Sequence, residues 1–145
     1  MANTKKQQDH WVGTFGEKRV QLWLEAQGWQ ILAQRWRCPW GELDLIAQPP
    51  GPPALVFIEV KTRCDPRQRT HPSWDHEGLT AITPQKQTKL SETAACFLGK
   101  FPHYSHWPCR FDLALVTYQG QIKPDLTPQE ITHQFTIYNY IEGIF

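Results

Sequence analysis

Gly41-Glu-Leu-Asp-Leu-Ile-Ala47 and Leu55-Val-Phe-Ile-Glu-Val-Lys-Thr-Arg63 are neighbouring apolar segments that carry charged residues in their interior. Both predict β-strands, whose side chains alternate between two faces. If the two strands pair as a hairpin, Asp44, Glu59 and Lys61 converge at one end of one face. A buried carboxylate needs a cation or hydrogen bonds to compensate it. Two carboxylates and a lysine in one place therefore predict a divalent-metal site with a charged helper, which is the chemistry of phosphodiester cleavage.

The composition is that of one ordinary globular domain. The chain has 145 residues, 40% of them hydrophobic and 20% charged, which excludes a disordered protein. No apolar run approaches the roughly 20 residues of a membrane helix, and the first ten residues lack the apolar core of a signal peptide, so a cytoplasmic location is expected. The net charge of +1 excludes a globally basic surface. Nucleic-acid binding would therefore rest on a local patch such as Lys61, Arg63, Arg67 and Arg69.

The four cysteines, at positions 38, 64, 96 and 109, show no C-x-x-C spacing and are expected to be reduced thiols. His103, His106 and Cys109 follow one another at spacings of three and offer zinc ligands. That spacing matches no standard zinc finger or ribbon, and the segment also contains prolines and aromatic residues. A plain loop is therefore the favoured interpretation of this segment.

The order of elements predicts a single α/β domain over residues 13–145, preceded by a flexible polar leader over residues 1–12. Helices are expected over 14–27 and from Thr83-Pro84 to Gly99. Residues 62–80 are expected to form a long polar loop. Strands are expected over 29–37, 42–47, 54–61, 110–118, 121–123 and, either as a strand or as an extended segment, 135–141. This order indicates a mixed central sheet flanked by helices and antiparallel at its first hairpins.

The predicted first helix and the strand around Asp44 indicate which side chains share a face. In the first helix, Glu17 shares the inward stripe with Leu24. From helix position alone, the favoured interpretation is that Glu17 simply lies in the first helical turn, where the helix dipole favours an acid. In the strand around Asp44, alternation places Leu43 and Leu45 together on the opposite face.

The two strand segments, together with four further motifs, resemble the hallmark of the YraN family of small bacterial proteins. The further motifs are Gly13-x-x-Gly-Glu17, Gly28-Trp-Gln-Ile-Leu32, Thr83-Pro-Gln-Lys86 and Arg110-Phe-Asp-Leu-Ala114. The resemblance spans residues 13 to 117. That family is similar to the PD-(D/E)XK nuclease superfamily, whose structural relatives include archaeal Holliday-junction resolvases. The resemblance therefore implies a restriction-endonuclease-like core.

In the superfamily pattern, an acid comes from the first helix, an Asp from the second strand and Glu-x-Lys from the third. The resemblance therefore implies four catalytic residues: Glu17, Asp44, Glu59 and Lys61. Asp44 and Glu59, with the carbonyl of Val60, would hold Mg²⁺ or Mn²⁺, and Glu17 would complete the coordination or site a second ion. Lys61 would orient the attacking water. Contacts to the substrate backbone would come from Arg63, Gln85, Lys86 and Lys89.

The chain departs from the superfamily pattern in places. The usual proline before the motif's Asp is Leu43 here, and the Gln-x-x-x-Tyr signature of some related exonucleases is absent. Asp112 competes for a role in the site, although a structural role, paired with Arg110 or another basic partner, is favoured. Glu42 is near the start of its strand and is expected to be exposed. Stacking on unpaired bases is expected from two loop tryptophans, Trp40 and Trp74.

The leading hypothesis is a metal-dependent endonuclease that acts on DNA rather than RNA, including branched or flapped DNA, as a homodimer that brings two sites to two strands. The second hypothesis is a binding module on a nuclease-like fold, which recognises nucleic acid or a protein partner without cutting. The third is a purely structural α/β protein whose acids pair with Arg63, Arg37 and Arg110. Metal binding through Asp44 and Glu59 separates the first hypothesis from the other two.

Overall fold

The computed structural model describes residues 4–65 and 82–145. In chain order its elements are α1 (Lys5–Ala26), β1 (Gln30–Cys38), β2 (Gly41–Gln48), β3 (Leu55–Cys64), α2 (Pro84–Lys100), a 3₁₀ turn (Pro102–Tyr104), β4 (Cys109–Tyr118), α3 (Pro128–Gln134) and β5 (Phe135–Ile141). None of the described helices is long and apolar enough to span a membrane. The predicted loop over 62–80 lies outside the described residues from position 66 onward. This part includes Arg67, Arg69 and Trp74.

The strands form one mixed sheet in the order β1-β2-β3-β4-β5. β3 and β4 run parallel, and the other neighbouring pairs are antiparallel. A parallel pair needs a crossover connection, and α2 lies in that connection. α1 covers one face of the sheet through Val20 and Leu24, and α2 covers the other through Leu90 and Phe97. The predicted mixed sheet with flanking helices and antiparallel first hairpins is therefore confirmed.

The first helix is longer than the sequence pattern predicts. It begins at Lys5, so the predicted helix start near residue 14 is wrong, and residues 5–12 of the predicted leader belong to the helix. Thr4 and Gln7 form a capping box through side-chain to backbone hydrogen bonds of 3.1 and 3.0 Å. Gln8 then bonds the carbonyl and the amide of Ile122, at 2.7 and 3.0 Å. Capping and this distant contact, rather than an apolar stripe, hold these polar residues in the helix.

In the C-terminal third, one predicted strand is absent from the structure and one helix is present that the sequence does not predict. Residues 121–123, predicted as a strand, do not form one; Ile122 is buried and its amide bonds the Gln8 side chain instead of a neighbouring strand. The pattern also does not predict α3, which begins with a capping box between Thr127 and Glu130. Of the two predictions for residues 135–141, the strand is correct, because β5 pairs with β4. The remaining predicted strands and α2 are confirmed, with β3 running on to Cys64.

The alternation of side chains along β2 breaks at Asp44. Leu45 packs on the α1 side of the sheet, whereas Leu43 packs with Phe57 on the α2 side, so the prediction that Leu43 and Leu45 share a face is wrong. β2 pairs with β3 only over residues 45–47, and its earlier part follows β1 alone. Because β2 separates from β3 while it stays paired with β1, a notch opens between β2 and β3. Asp44 lies at the point where this notch begins.

A second irregularity lies directly across from the first. Arg35 has a φ of +48°, in the left-handed region that non-glycine residues rarely adopt. It lies opposite Asp44, because the pairs on either side are Gln34–Leu45 and Trp36–Leu43. Gln34 and Arg35 therefore both line a cleft on the α1 side, while Trp36 packs on the α2 side. The unusual backbone thus directs a guanidinium toward α1.

Candidate functional site

Asp44 and Glu59 lie side by side where β2 and β3 diverge. Glu59 follows Ile58, which pairs with the residue after Asp44, and the two carboxyl groups are close enough that each shifts the pKa of the other. Asp44 Oδ2 also accepts a 2.9 Å hydrogen bond from the backbone amide of Val60. Lys61 Nζ lies 3.8 Å from Oε2 of Glu59. The three charged residues that the strand pattern predicted to converge are therefore together in the structure.

Burial sets the protonation of this carboxyl pair. Desolvation, followed by the charge and hydrogen bond of Asp44, raises the pKa of Glu59 to about 8, while Lys61 and Lys86 act in the opposite direction. Desolvation also raises the pKa of Asp44 above its ordinary value. Two adjacent buried carboxyl groups resist ionising together. The pair therefore retains a proton near neutral pH, at a place where a bound cation would relieve the repulsion.

Glu17 and Arg35 form a partly buried ion pair beside the carboxyl pair. Arg35 Nε donates to Oε1 of Glu17 at 2.8 Å, and Nη2 donates to Oγ1 of Thr14 at 2.7 Å. Burial is the main cause that raises the pKa of Glu17 to about 7; the hydrogen bond from Arg35 lowers it and the charge of Asp44 raises it. Glu17 is 18% exposed and lies well inside α1, so the first-turn interpretation is wrong and the inward position agrees with the structure. On the α1 side, Glu17 and Arg35 both line a cleft of about 340 Å³, of which neither Asp44 nor Glu59 is a lining residue.

Arg35 is the member of this site that the sequence pattern does not reveal. Arg37, two residues along the same strand, forms an exposed ion pair with Glu42 at 3.2 Å. In the sequence the two arginines look alike, since both lie in the same short strand with no distinguishing motif. Only the positive φ of Arg35 and its position opposite Asp44 separate them. Glu42 is exposed, as expected from its place near the strand start.

The predicted substrate-binding residues divide between two clefts. Lys86 and Lys89 on α2 line a cleft of about 250 Å³ together with Glu59. Arg63 lines a second cleft, of about 370 Å³, together with Lys61. Glu59 and Lys61, two residues apart on β3, therefore connect a cleft lined by lysines with one that contains an arginine.

Two further residues predicted to meet the substrate are exposed near these clefts. Gln85 lies in the first turn of α2 and lines neither of the two clefts. Trp40 lies in the turn between β1 and β2, and 59% of its surface is exposed. Base stacking on Trp40 stays a prediction.

The possible metal ligands form a pair rather than a cluster. Within residues 4–65 and 82–145, no three His, Cys, Asp or Glu side chains gather closely enough to hold a metal ion by themselves. Asp44 and Glu59 supply two adjacent carboxylates, whereas Glu17 is bound by Arg35. The donor set still fits Mg²⁺, because that ion keeps several waters and is often held by one or two carboxylates.

His103, His106 and Cys109, which offer zinc ligands in the sequence, lie between α2 and the start of β4. His103 packs against Tyr104 with ring centroids 3.9 Å apart, and Cys109 Sγ donates to the carbonyl of Trp107 at 3.4 Å. His106 lies in the turn between them. In the part of the chain that the structure describes, none of these residues belongs to a group of three metal-ligand side chains.

Asp112 has the structural role that the sequence favoured. It is fully buried, and its carboxylate accepts hydrogen bonds from Arg110 Nε at 3.0 Å, the Tyr140 hydroxyl at 2.6 Å and the Gly143 amide at 3.0 Å. These donors come from β4, β5 and the C-terminal tail. The predicted pairing with Arg110 is confirmed, and Asp112 holds these three segments together.

Comparison with known proteins identifies the relatives of this chain. The model of "Uncharacterised protein family UPF0102" matches residues 16–116. A UPF0102 protein of Synechocystis is 46% identical over 111 residues, which are 77% of this chain and 70% of that protein. A UPF0102 protein of Thermosynechococcus vestitus is 52% identical over 108 residues, which are 74% of this chain and 82% of that protein. A UPF0102 protein of Synechococcus is 42% identical over 134 residues, which are 92% of this chain and 90% of that protein. YraN is the UPF0102 family, so the resemblance seen in the motifs is confirmed, and the chain belongs to the uncharacterised protein family UPF0102.

Proposed function

We propose that this protein is a Mg²⁺- or Mn²⁺-dependent endonuclease that hydrolyses phosphodiester bonds of DNA on a restriction-endonuclease-like core. One observation supports this above all: Asp44 and Glu59 lie side by side in a largely buried notch, with Lys61 Nζ 3.8 Å from Glu59. Adjacent buried carboxyl groups oppose folding unless something compensates them. Their grouping therefore indicates a role in binding a cation.

The oxygen donors suit a hard divalent cation. Asp44 and Glu59 would supply carboxylate ligands, the carbonyl of Val60 a third, and waters the rest. When bound, the metal would polarise the scissile phosphate and lower the pKa of a coordinated water. The proton held by the two carboxyl groups must leave before both can act as ligands. Metal binding should therefore strengthen as the pH rises.

The chain's own groups would orient the water and the phosphate. Lys61, beside the carboxyl pair, would hold the attacking water and offset charge that develops on the phosphate. Glu17, whose pKa is about 7, is partly ionised near neutral pH and would accept a proton or help to hold an ion. Arg35 fixes the position of Glu17 through the 2.8 Å hydrogen bond.

The DNA backbone would lie across both clefts. Lys86 and Lys89 would bind phosphates on the side of Glu59, and Arg63 on the side of Lys61. Such contacts orient the nucleic acid without reading its sequence, so the proposed preference is for a DNA structure rather than for a sequence. Two copies of the chain would bring two sites to the two strands of a branched substrate.

The decisive experiment compares wild type, Glu59→Gln and Glu42→Gln on labelled single-stranded, duplex, flap and four-way-junction DNA, with Mg²⁺, Mn²⁺ or EDTA. Glu42 is the matched control, because it is an exposed acid on β2 that pairs with Arg37. We expect metal-dependent cleavage by wild type and Glu42→Gln, and a loss on the order of 100-fold or more in Glu59→Gln. Cleavage that persists in EDTA or in Glu59→Gln overturns the proposal.

Metal binding is measured separately from cleavage by thermal unfolding. A ligand that binds only the folded chain raises the midpoint temperature Tm. We expect millimolar Mg²⁺ to raise the Tm of wild type at pH 8, to raise it less at pH 6, and to leave Asp44→Asn unchanged. An equal shift in wild type and Asp44→Asn would place the ion elsewhere.

Binding without cutting would favour the alternative of a nucleic-acid-binding module. The salt dependence of DNA affinity then tests the lysine-lined cleft. Lys86→Ala and Lys89→Ala should each weaken binding and reduce the slope of log K against log salt by about 1. Lys100→Ala, at the other end of α2, is the matched control and should change neither.

A further inference from the structure

Two cysteines from different elements meet beside the candidate site. All four cysteines lie in the described part of the chain, and none is in a disulfide. Cys38 ends β1 and pairs with Gly41, which lies against Thr93 of α2; Cys96 follows Thr93 by three residues on the same helix, and each thiol shifts the pKa of the other. Both are partly exposed, so a small reagent can reach them. The other two, Cys64 and Cys109, lie at the end of β3 and the start of β4.

The surroundings make the two thiols unequal. The Cys38 sulfur is hydrogen-bonded to the backbone of Trp40 and Gly41 and to the side chain of Thr93. Burial alone would raise the pKa of the Cys38 thiol, but these hydrogen bonds outweigh burial and lower it. The pKa of the Cys96 thiol is raised, mainly by burial. Cys38 is therefore the better nucleophile of the pair, because the thiolate is the reactive form.

We propose that Cys38 and Cys96 are a dithiol site that forms a reversible internal disulfide on reaction with a low-molecular-weight disulfide of the glutathione class. The thiolate of Cys38 attacks one sulfur of the reagent, whose own S–S bond breaks and releases one thiolate. Cys96 then loses its proton and attacks the Cys38 sulfur, which forms the internal bond and releases the second reagent thiol. Two cysteine thiols are thus oxidised, and one reagent disulfide is reduced to two thiols.

The internal bond would join the two walls of the cleft that contains Glu59. Cys38 pairs with Gly41 across the β1–β2 turn. Gly41 in turn lies against α2, where a Cβ built on it would be 2.9 Å from Oγ1 of Thr93. Gly41 and Thr93 both line the cleft. Because the turn and the helix are already in contact, oxidation would tie them together with little movement and limit the opening of the cleft.

The test is a thiol count on the folded, full-length chain. Reduced protein is incubated with oxidised glutathione, and the remaining thiols are alkylated in denaturant and counted by intact mass. We expect the count to fall from four to two, with peptide mapping that links the Cys38 peptide to the Cys96 peptide. The readout is a mass, so it does not depend on any enzymatic activity.

Single variants separate this pair from chance oxidation. Cys64→Ser and Cys109→Ser should each keep the internal bond, whereas Cys38→Ser and Cys96→Ser should each abolish it. The same reaction on urea-denatured chain should give mixed pairings, because only the fold brings the two thiols together. Four thiols still alkylated after native oxidation, a link through Cys64 or Cys109, or an equally specific link in urea would overturn the proposal.

Discussion

The backbone amide of Val60 donates a 2.9 Å hydrogen bond to Oδ2 of Asp44, and so ties β2 to β3 just beyond the point where their regular pairing ends. The bond uses a main-chain donor that a continuous strand pair would have given to a carbonyl. It also holds the Asp44 carboxyl group next to that of Glu59, the residue before Val60. The two carboxyl groups are therefore adjacent at the place where the two strands diverge.

The first prediction concerns the pH dependence of stability. The pKa of Glu59 is about 8 in the folded chain against an ordinary value of 4.5, so the folded state binds more protons than the unfolded state between these values. Below pH 4.5, Glu59 makes its full contribution to the free energy of unfolding. This contribution is lost as the pH rises through 8. We expect Glu59→Gln, which stays neutral, to exceed wild type by on the order of 2 kcal/mol at pH 9 and by little at pH 4.5.

Urea unfolding at the two pH values measures this difference. Glu42→Gln is the matched control, because Glu42 is an exposed acid near the same site. It should follow the pH dependence of wild type. A Glu59→Gln chain whose stability relative to wild type is the same at both pH values would contradict the buried, repelled state of Glu59.

The second prediction concerns Arg35. Its hydrogen bond lowers the pKa of Glu17, which burial has raised to about 7. In Arg35→Gln that pKa should rise further, by roughly one unit, since the stabilised carboxylate loses a charged donor. Titration of the Glu17 carboxyl carbon by NMR measures the change. Arg37→Gln removes an exposed arginine two residues away and should leave the titration unchanged; an equal effect of both variants would rule out a specific pairing of Arg35 with Glu17.

The third prediction compares two glycines of α1. A Cβ on Gly16 would overlap Oγ1 of Thr62 on β3, whereas one on Gly13 meets nothing within 4 Å. Gly13→Ala should raise the free energy of unfolding by about 0.5–1 kcal/mol, because alanine favours a helix interior. Gly16→Ala should lower it by about 1–3 kcal/mol, because α1 must move away from β3. Denaturant titration measures both; a stabilised Gly16→Ala would show that the helix does not approach β3 so closely.

The fourth prediction concerns the buried carboxylate of β4. Asp112→Ala leaves Arg110 and the Tyr140 hydroxyl without their acceptor, and should lower the free energy of unfolding by about 3–5 kcal/mol. Tyr140→Phe removes one donor and should lower it by about 1–2 kcal/mol. Asp125→Ala, at an exposed position, should change it by about 0.5 kcal/mol or less. Equal effects of Asp112→Ala and Asp125→Ala would contradict the structural role of Asp112.

Much of the sheet could be predicted because its signals are local. Apolar runs that include Leu45 and Ile58, the proline-rich break between β2 and β3, and the Thr83-Pro84 start of α2 all act over a few neighbouring residues. The N-terminal part of α1 and the whole of α3 lack such a signal. Their polar residues are held by caps and by contacts such as that of Gln8 with Ile122, more than one hundred residues apart in the chain.

The candidate site, too, could be predicted only in part from local patterns. Strand alternation alone placed Glu59 and Lys61 on one face of β3, and hairpin pairing brought Asp44 to them. The same rule failed for Leu43, because it assumes that β2 keeps both neighbours along its whole length. Once β2 leaves β3, the side chains on either side of Asp44 no longer follow the period of two.

The sequence by itself determined the family, most of the order of helices and strands along the chain and the three charged residues that meet in the notch, since each rests on residue types at short spacings. Only the tertiary structure decided that Arg35 rather than Arg37 reaches Glu17, that Asp44 bonds the Val60 amide, and that the end of β1 with Cys38 lies against the part of α2 that carries Cys96. The reason is physical. These contacts depend on the backbone of Arg35 and on how strands and helices pack across the chain, and no local pattern of residues carries that information.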